Sequence, residues 1–295
     1  MVARWILFSL LVALCAYHFY REKPFTEDMV RGKRILVTGS SMGIGEQIAY
    51  ELARMGAHVM LTARREKQLQ EVVQKCLDLG ASSAQFVVAD MSNMTEAQKV
   101  IKETKDAMGG LDHLILNHVG KTFPFGPFQW DLEQVIETMR VNFFSYVQLT
   151  LSALDMLQES RGSVIVVSSM AGRLPSPFSV PYAASKFALE GFYSSLRTEL
   201  RLLKAELPIT VAVLGYIDTD TAVNVLKGKT SLSPSPKMEC ARAIVKGGML
   251  REREVFYPYW STKPIIFLRD WMPELVEYLT GRAFQVENIA QKRDP

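Results

Sequence analysis

Tyr182 and Lys186 stand four residues apart in the run PYAASKFAL. That spacing puts both side chains on one face of a helix, one turn from each other. A free tyrosine holds its proton until about pH 10, and a nearby ammonium stabilises the phenolate and lowers that value. A tyrosine tuned in this way can exchange a proton with an alcohol or carbonyl oxygen. Alone the spacing says little, because Tyr-x-x-x-Lys occurs on many solvated helix faces. Its meaning depends on what else the chain places beside it.

The elements that would position such a pair begin near the N-terminus. Residues 34–37 form a short apolar run that passes directly into Thr38-Gly39-Ser40-Ser41-Met42-Gly43-Ile44-Gly45. A helical pattern follows, with Ile48, Ala49, Leu52 and Ala53 at core spacing, and it ends at Gly56. Strand, glycine-rich turn and helix form the context of a dinucleotide-binding fingerprint. The glycines let the backbone approach a pyrophosphate, and the free N–H groups of the helix N-terminus hold its charge. A second strand follows, His58-Val59-Met60-Leu61-Thr62-Ala63-Arg64-Arg65, with Glu66 only beyond it. An acid at that point suits the ribose hydroxyl of NAD, whereas arginine accommodates a 2′-phosphate. The pattern therefore favours NADP(H).

Thr-Gly-x-x-x-Gly-x-Gly, an Asn ending the fourth strand, a Ser before the helix and Tyr-x-x-x-Lys occur in one order across residues 32–225. Together they resemble the short-chain dehydrogenase/reductase family. Within it, TARR, LILNHVG, VNFFSYVQLT, VVSSMAG, SKFALEGF and VLGYIDTDTA are most similar to the 11β-hydroxysteroid dehydrogenase branch. The N-terminal apolar segment and VFYPYW add a likeness to the 1-like members of that branch.

The resemblance implies a role for each matched residue. Tyr182 would be the acid/base, and Lys186 would hold the ribose hydroxyls and depress the phenol. Ser169 would hydrogen-bond the substrate oxygen, favoured over Ser168 by its distance from the tyrosine. Asn142 would sit in a helix and hold a water in a proton relay to Lys186. Gly39, Ser40, Ser41, Met42, Gly43, Ile44 and Gly45 would cradle the cofactor, with Arg64 and Arg65 at its phosphate and Asp90 and Met91 at its adenine. Asn117, His118 and Val119 would line the nicotinamide side, and Ile217, Asp218, Thr219, Asp220 and Thr221 would clasp it. Met170, Leu214, Gly215 and Tyr216 would join Ser169 and Tyr182 around the substrate. The chain departs from the family pattern in three places. Asn117-His118-Val119-Gly120 replaces Asn-Asn-Ala-Gly, and Leu214-Gly215 replaces Pro-Gly; both forms belong to the 11β branch. Met42 stands where that branch often has a basic residue, which removes one phosphate partner. His118 reads as a structural strand-end residue, since four histidines without metal-ligand spacing imply no metal.

The remaining sequence fits an α/β, doubly wound parallel sheet, the Rossmann fold. Strand-like runs at 86–89, 114–117, 163–168 and 210–214 alternate with helical stretches. At 295 residues, with 48% hydrophobic and 22% charged content, the chain can bury an ample core in one domain. That domain is expected over 30–250. A net charge of +3, with no basic patch interleaved with aromatics, argues against nucleic acid.

Segment 1–24 is nearly unbroken apolar sequence from Trp5 to Tyr20 between Arg4 and Arg21. It suits either a short signal-anchor or a secretory signal cleaved near Cys15. The first places the domain at the endoplasmic reticulum membrane, facing the lumen; the second leads to secretion. Asn93-Met94-Thr95 is a glycosylation sequon, weak because such triplets arise by chance. Beyond 250, Val255, Phe256, Tyr257, Trp260, Phe267 and Trp271 place large apolar groups outside the basic sheet unit. This 251–295 extension could pack on its own domain or a twin subunit in a homodimer, close the cleft, or rest on a membrane. Phe178, Val223 and Val225 would line an apolar pocket suited to a steroid-like substrate. A retinoid, sphingoid or xenobiotic carbonyl, or a cofactor sensor with little turnover, are the competing readings.

Overall fold

The computed structural model describes residues 24–120, 125–129 and 131–290, with residues 5, 6, 9 and 10 near the N-terminus. Seven strands form one sheet: β1 (Arg34–Thr38), β2 (His58–Ala63), β3 (Ser83–Val88), β4 (His113–Leu116), β5 (Ser163–Val167), β6 (Ile209–Leu214) and β7 (Glu254–Tyr257). They pair in parallel in the order β3-β2-β1-β4-β5-β6-β7. β4, β5 and β6 are buried at every position, the mark of a parallel sheet with both faces covered.

The covering helices are α1 (Gly43–Arg54), α2 (Glu66–Asp78), α3 (Met94–Met108), α4 (Leu132–Met139), α5 (Ser145–Glu159), α6 (Val180–Leu202), α7 (Asp220–Leu226) and α8 (Lys237–Met249). Two apolar clusters show how they divide. Ile48 and Leu52 of α1, Leu69 of α2 and Ile244 of α8 pack with Ile35 and Val37 of β1 on one face. Val100 of α3, Leu149 of α5 and Leu189 of α6 pack with Leu36 and Leu114 on the other. Each such fully buried aliphatic side chain contributes about 1.5–3 kcal/mol. The Asp112 carboxylate accepts from the Arg34 N–H at 2.8 Å and from its guanidinium at 3.0 Å, pinning the start of β1 beside β4.

The chain leaves β1 for β2 and β3, then returns to β4 on the other side of β1. The strand order thus reverses between β1 and β4, and a crevice opens there at the carboxyl ends of the strands. The predicted glycine turn and the predicted strand-end Asn both lie at that crevice.

Strand limits differ from the expected ones by one to three residues. The larger difference is β7. Val255, Phe256 and Tyr257, set outside the sheet by the sequence reading, pair with Ala212, Val213 and Leu214 of β6. After them come α9 (Tyr259–Arg269), α10 (Pro273–Arg282) and α11 (Val286–Ala290). Thr262 and Val276 are buried, yet Trp260, Phe267 and Trp271 are exposed, so these helices only partly cover their apolar groups. The expectations for segment 1–24 fall almost wholly outside the described residues. Among the described residues no helix is long and apolar enough to cross a membrane. The sequon Asn93 caps α3, accepting from the Thr95 N–H at 3.0 Å. Cys76 and Cys240 are buried and unpaired with each other.

Candidate active site

β1 ends in a turn whose Gly39 and Gly43 take φ of +65° and +66°, values that favour glycine. A Cβ on Gly39 would stand 2.6 Å from the Cα of His118, so the turn runs directly against the chain leaving β4. Gly39 and Ser40 donate their N–H groups to the Thr62 carbonyl at 2.8 and 3.3 Å. α1 then begins at Gly43 with no side-chain cap, leaving its first N–H groups for an anion. From the other side, Thr219 Cγ2 lies 3.3 Å from where a Gly43 side chain would begin. Arg65 Nη2 donates to Ser41 Oγ at 3.0 Å, joining the end of β2 to the turn. Arg64 is exposed and near enough to act on the His118 ring. This cradle fits a nicotinamide dinucleotide.

Tyr182 and Lys186 do lie on one face of α6. Lys186 Nζ is buried, donates to the Val167 carbonyl at 3.0 Å, and lies 5.6 Å from the ring centres of both Tyr182 and Tyr146. Burial lowers its proton affinity to about 8, opposed by the charge of Glu190. The expected depression of Tyr182 is not found. Burial raises its phenol, and the hydrogen bond with Ser169 is the opposing influence.

Ser169 ends the stretch after β5 and caps the 3₁₀ turn Met170–Gly172, accepting from the Ala171 N–H at 3.2 Å. Ser168 is buried instead, and its Oγ has no hydrogen-bond partner. Asn142 lies in the π-helical turn Arg140–Phe144 between α4 and α5. Its Oδ1 accepts from the Gly120 N–H at 2.8 Å and its Nδ2 donates to Ser185 Oγ at 3.1 Å. Ser185 Oγ in turn donates to the Tyr182 carbonyl at 2.7 Å. Asn142 is thereby linked to α6 through its amide.

His118 is a core residue in its side chain. Nδ1 meets Thr38 Oγ1 at 2.8 Å and Nε2 meets Ser145 Oγ at 2.6 Å. Burial, aided by the charges of Lys186 and Arg64, holds its imidazole down to about 3. Burial likewise holds His113 down to about 4. Both bind a proton less readily folded than unfolded, so their contribution is complete above about pH 6.5 and is lost as pH falls toward 4. Denaturant midpoints at pH 7 and 4.5 should differ by stability on the order of a few kcal/mol, and His113→Asn should flatten that dependence. Equal midpoints would contradict it.

The other predicted residues divide between the cleft and the framework. Asn117 Nδ2 donates to the Thr38 and Gly39 carbonyls at 3.2 and 3.3 Å, tying the glycine turn to β4. Val119 is exposed, whereas Met91, Leu214 and Ile217 are buried in the core. Asp90 Oδ1 accepts from the Ser92 N–H, and Asp218 Oδ1 from the first N–H of α8. Thr219 caps α7, which opens with Asp220 and Thr221. Gly215 adjoins Met170 Sδ and Thr262, while Tyr216, like Met42 and Ile44, is half-buried. Phe178, at φ +64°, packs with Phe125 and Phe284 at ring separations of 5.7 and 5.8 Å.

Sequence reasoning missed Tyr146 and Ser185. Tyr146 is buried beneath Lys186, and its hydroxyl donates to the His118 carbonyl at 2.6 Å. Its place four residues after Asn142 was the available signal. Among the described residues no cluster of three His, Cys, Asp or Glu could hold a metal.

Known proteins share this architecture. A family model described as short chain dehydrogenase matches residues 33–230. The chain is 54% identical over 284 residues to the hydroxysteroid 11-beta-dehydrogenase 1-like protein B of Xenopus laevis, covering 96% of this chain and 98% of that protein. It is 48% identical over 250 residues to the hydroxysteroid 11-beta-dehydrogenase 1-like protein of Gallus gallus, covering 85% and 86%. A crystal structure of a short chain dehydrogenase from Burkholderia cenocepacia in complex with NADP superposes with a TM-score of 0.67 at 28% identity, covering 77% of this chain and 97% of that one.

Proposed function

The chain belongs to the short-chain dehydrogenase family, and on that premise we propose that it is an NADP(H)-dependent oxidoreductase interconverting a hydroxyl and a ketone on a steroid-like lipophilic substrate. The observation that carries the reading is the convergence of Tyr182, Ser169, Lys186 and Asn142 on one end of the sheet, beside the glycine turn. The nicotinamide, when bound, supplies or accepts the hydride at the substrate carbon. Gly39, Gly43 and Gly45 let the backbone approach its phosphates, with Ser40, Ser41, Arg64 and Arg65 on the adenosine side.

Tyr182 moves the proton between its hydroxyl and the substrate oxygen. Ser169 holds that oxygen with a second hydrogen bond, which strengthens as charge develops. Lys186, kept between two tyrosine rings, holds the ribose and returns protons to Tyr182. Asn142 fixes the start of α5 against α6, so the proton-carrying helix keeps its distance from the nicotinamide side. The names of the Xenopus and chicken relatives support a steroid-like substrate. So do the apolar groups at Phe178, Val223 and Val225. Segment 1–24 would deliver the protein to the endoplasmic reticulum, and membrane contact and a homodimer belong to the same reading.

NADP(H) is favoured by the Arg65–Ser41 bridge and by the exposed Arg64 beside it. A charged hydrogen bond to a phosphate is worth about 1.5–3 kcal/mol. Arg65→Ala should therefore raise the KM for NADPH about tenfold to a hundredfold and leave that for NADH nearly unchanged. The assay is turnover with a panel of 11-hydroxy and 11-keto steroids, retinal and simple ketones, with each cofactor. Turnover of retinal or simple ketones alone would move the substrate assignment. Cofactor binding with no turnover across the panel would favour a sensor. An unchanged NADPH-to-NADH preference in Arg65→Ala would remove the 2′-phosphate assignment.

A further inference from the structure

Arg173 follows the Met170–Gly172 turn that Ser169 caps, and it is the hub of a charged network. Its Nε donates to Glu190 Oε2 at 2.8 Å, and its Nη2 bridges both Glu190, at 2.7 Å, and Glu254. Glu190 is buried and lies on α6 one turn beyond Lys186. Glu254 opens β7. The Arg173 carbonyl accepts from Arg269 Nη1, at the end of α9. Glu254 and Arg269 both lie beyond the 33–230 stretch shared with the family.

The turn itself is pressed against α6. A Cβ on Gly172 would stand 2.8 Å from the Lys186 carbonyl and 3.1 Å from Glu190 Cγ, so the turn backbone touches α6 at the level of the catalytic lysine. At the end of β6, Pro258 Cδ and Thr262 Oγ1 each lie 3.3 Å from where a Gly215 side chain would begin, and Met170 Sδ lies 3.5 Å from it. The start of α9 and Met170 therefore meet around Gly215, while the end of α9 holds Arg173.

We infer that Arg173 is a positioning residue: clamped by Glu190, Glu254 and Arg269, it locks the Ser169 turn against α6, so that docking of the C-terminal segment sets the serine's distance from Tyr182. The inference rests on the proposed role of Ser169 for its catalytic consequence and on the contacts alone for its mechanical one. The clamp is internal and two-sided. Releasing Arg269 or Glu254 removes one arm of the clamp and loosens Arg173 on Glu190 without touching Ser169, Tyr182 or Lys186. Unpairing Arg173 also leaves Glu190 a buried charge without its partner, which loosens the same contact.

The turn's own hydrogen bonds report the effect: Gly172 N–H to Ser169 O at 2.9 Å and Leu174 N–H to Met170 O at 2.8 Å. Amide hydrogen exchange of the full chain should be compared in segments 169–176 and 34–45 for Arg269→Met, Glu254→Gln, Arg173→Met and Arg173→Lys. Exchange in 169–176 is expected to rise about tenfold in the first three while 34–45 stays as in the parent. With the best ketone of the panel, kcat should fall about tenfold to a hundredfold and the KM for NADPH should hold. Arg173→Lys should recover part of the loss. Should Arg173→Met fail to fold, Arg269→Met and Glu254→Gln decide the matter. Unchanged exchange in 169–176, or an equal rise in both segments, overturns the clamp. A parent protein that turns over nothing would instead defeat the functional reading, and the exchange comparison would still decide whether the network holds the turn.

Discussion

Tyr182→Phe is expected to lower turnover by about two to four powers of ten, the range that a positioned proton donor contributes. NADPH affinity should stay within about twofold, since the ring that packs against Lys186 is kept. The substitution removes one oxygen and little else. Lys186 retains its bond to the Val167 carbonyl and its place beside Tyr146, and α6 keeps its packing through Leu189 and Tyr193. Lost are the proton donor and the hydrogen bond with Ser169. Neither neighbour can substitute well: a serine hydroxyl is a far weaker acid, and the lysine is tied to a carbonyl on the far side. The phenol's raised proton affinity in this buried site means the folded protein holds Tyr182 protonated at neutral pH, the form that a proton donor to a ketone oxygen requires. Single-turnover kinetics with NADPH fluorescence would separate binding from chemistry. A variant retaining most of its rate with intact cofactor binding would mean that Tyr182 is not the proton donor.

Much of the framework around that tyrosine was legible because it depends on local pattern. The glycine turn sits between an apolar strand and a periodic helix, and the fold places it at the strand-order reversal. What could not be read depends on residues far apart in the chain. Arg173 meets Glu254 across 81 positions, a pairing no spacing rule contains. β7 has four residues, follows a charged stretch and runs into Pro258, so its apolar run looked like the start of the tail. The widened turn at Asn142 has the same residue period as a helix to within one position. The direction of the shift at Tyr182 turned on burial, whereas the sequence displayed only the neighbouring charge. Phe178 in the left-handed region has no local signal at all, because bulky side chains are rare there.

The second large effect is expected at Gly45, and it acts on cofactor binding before any chemistry. This residue lies in the first turn of α1, with no unusual φ, so its requirement for glycine is steric. A Cβ there would collide with the Gly39 carbonyl oxygen and stand 2.6 Å from Asn117 Nδ2. Neither obstacle is a loose side-chain end. The carbonyl belongs to the turn itself, and the Asn117 amide is held by the Thr38 and Gly39 carbonyls. Gly45→Ala must therefore spread α1 away from β1, opening the cradle and breaking the Asn117 bonds that tie it to β4. Overpacking of this kind costs about 1–3 kcal/mol, which is about fivefold to more than a hundredfold in NADPH affinity if the shift falls wholly on the bound state. Fluorescence titration with NADPH and a thermal melt would read the two consequences separately. Gly191→Ala is the matched control: it lies on α6, and its added methyl would meet nothing within 4 Å, so it should be neutral or gain about 0.5–1 kcal/mol of stability. If Gly45→Ala bound NADPH as tightly as the parent while Gly191→Ala behaved the same, the cofactor would not approach the backbone at this turn, and the dinucleotide would have to lie elsewhere along the crevice.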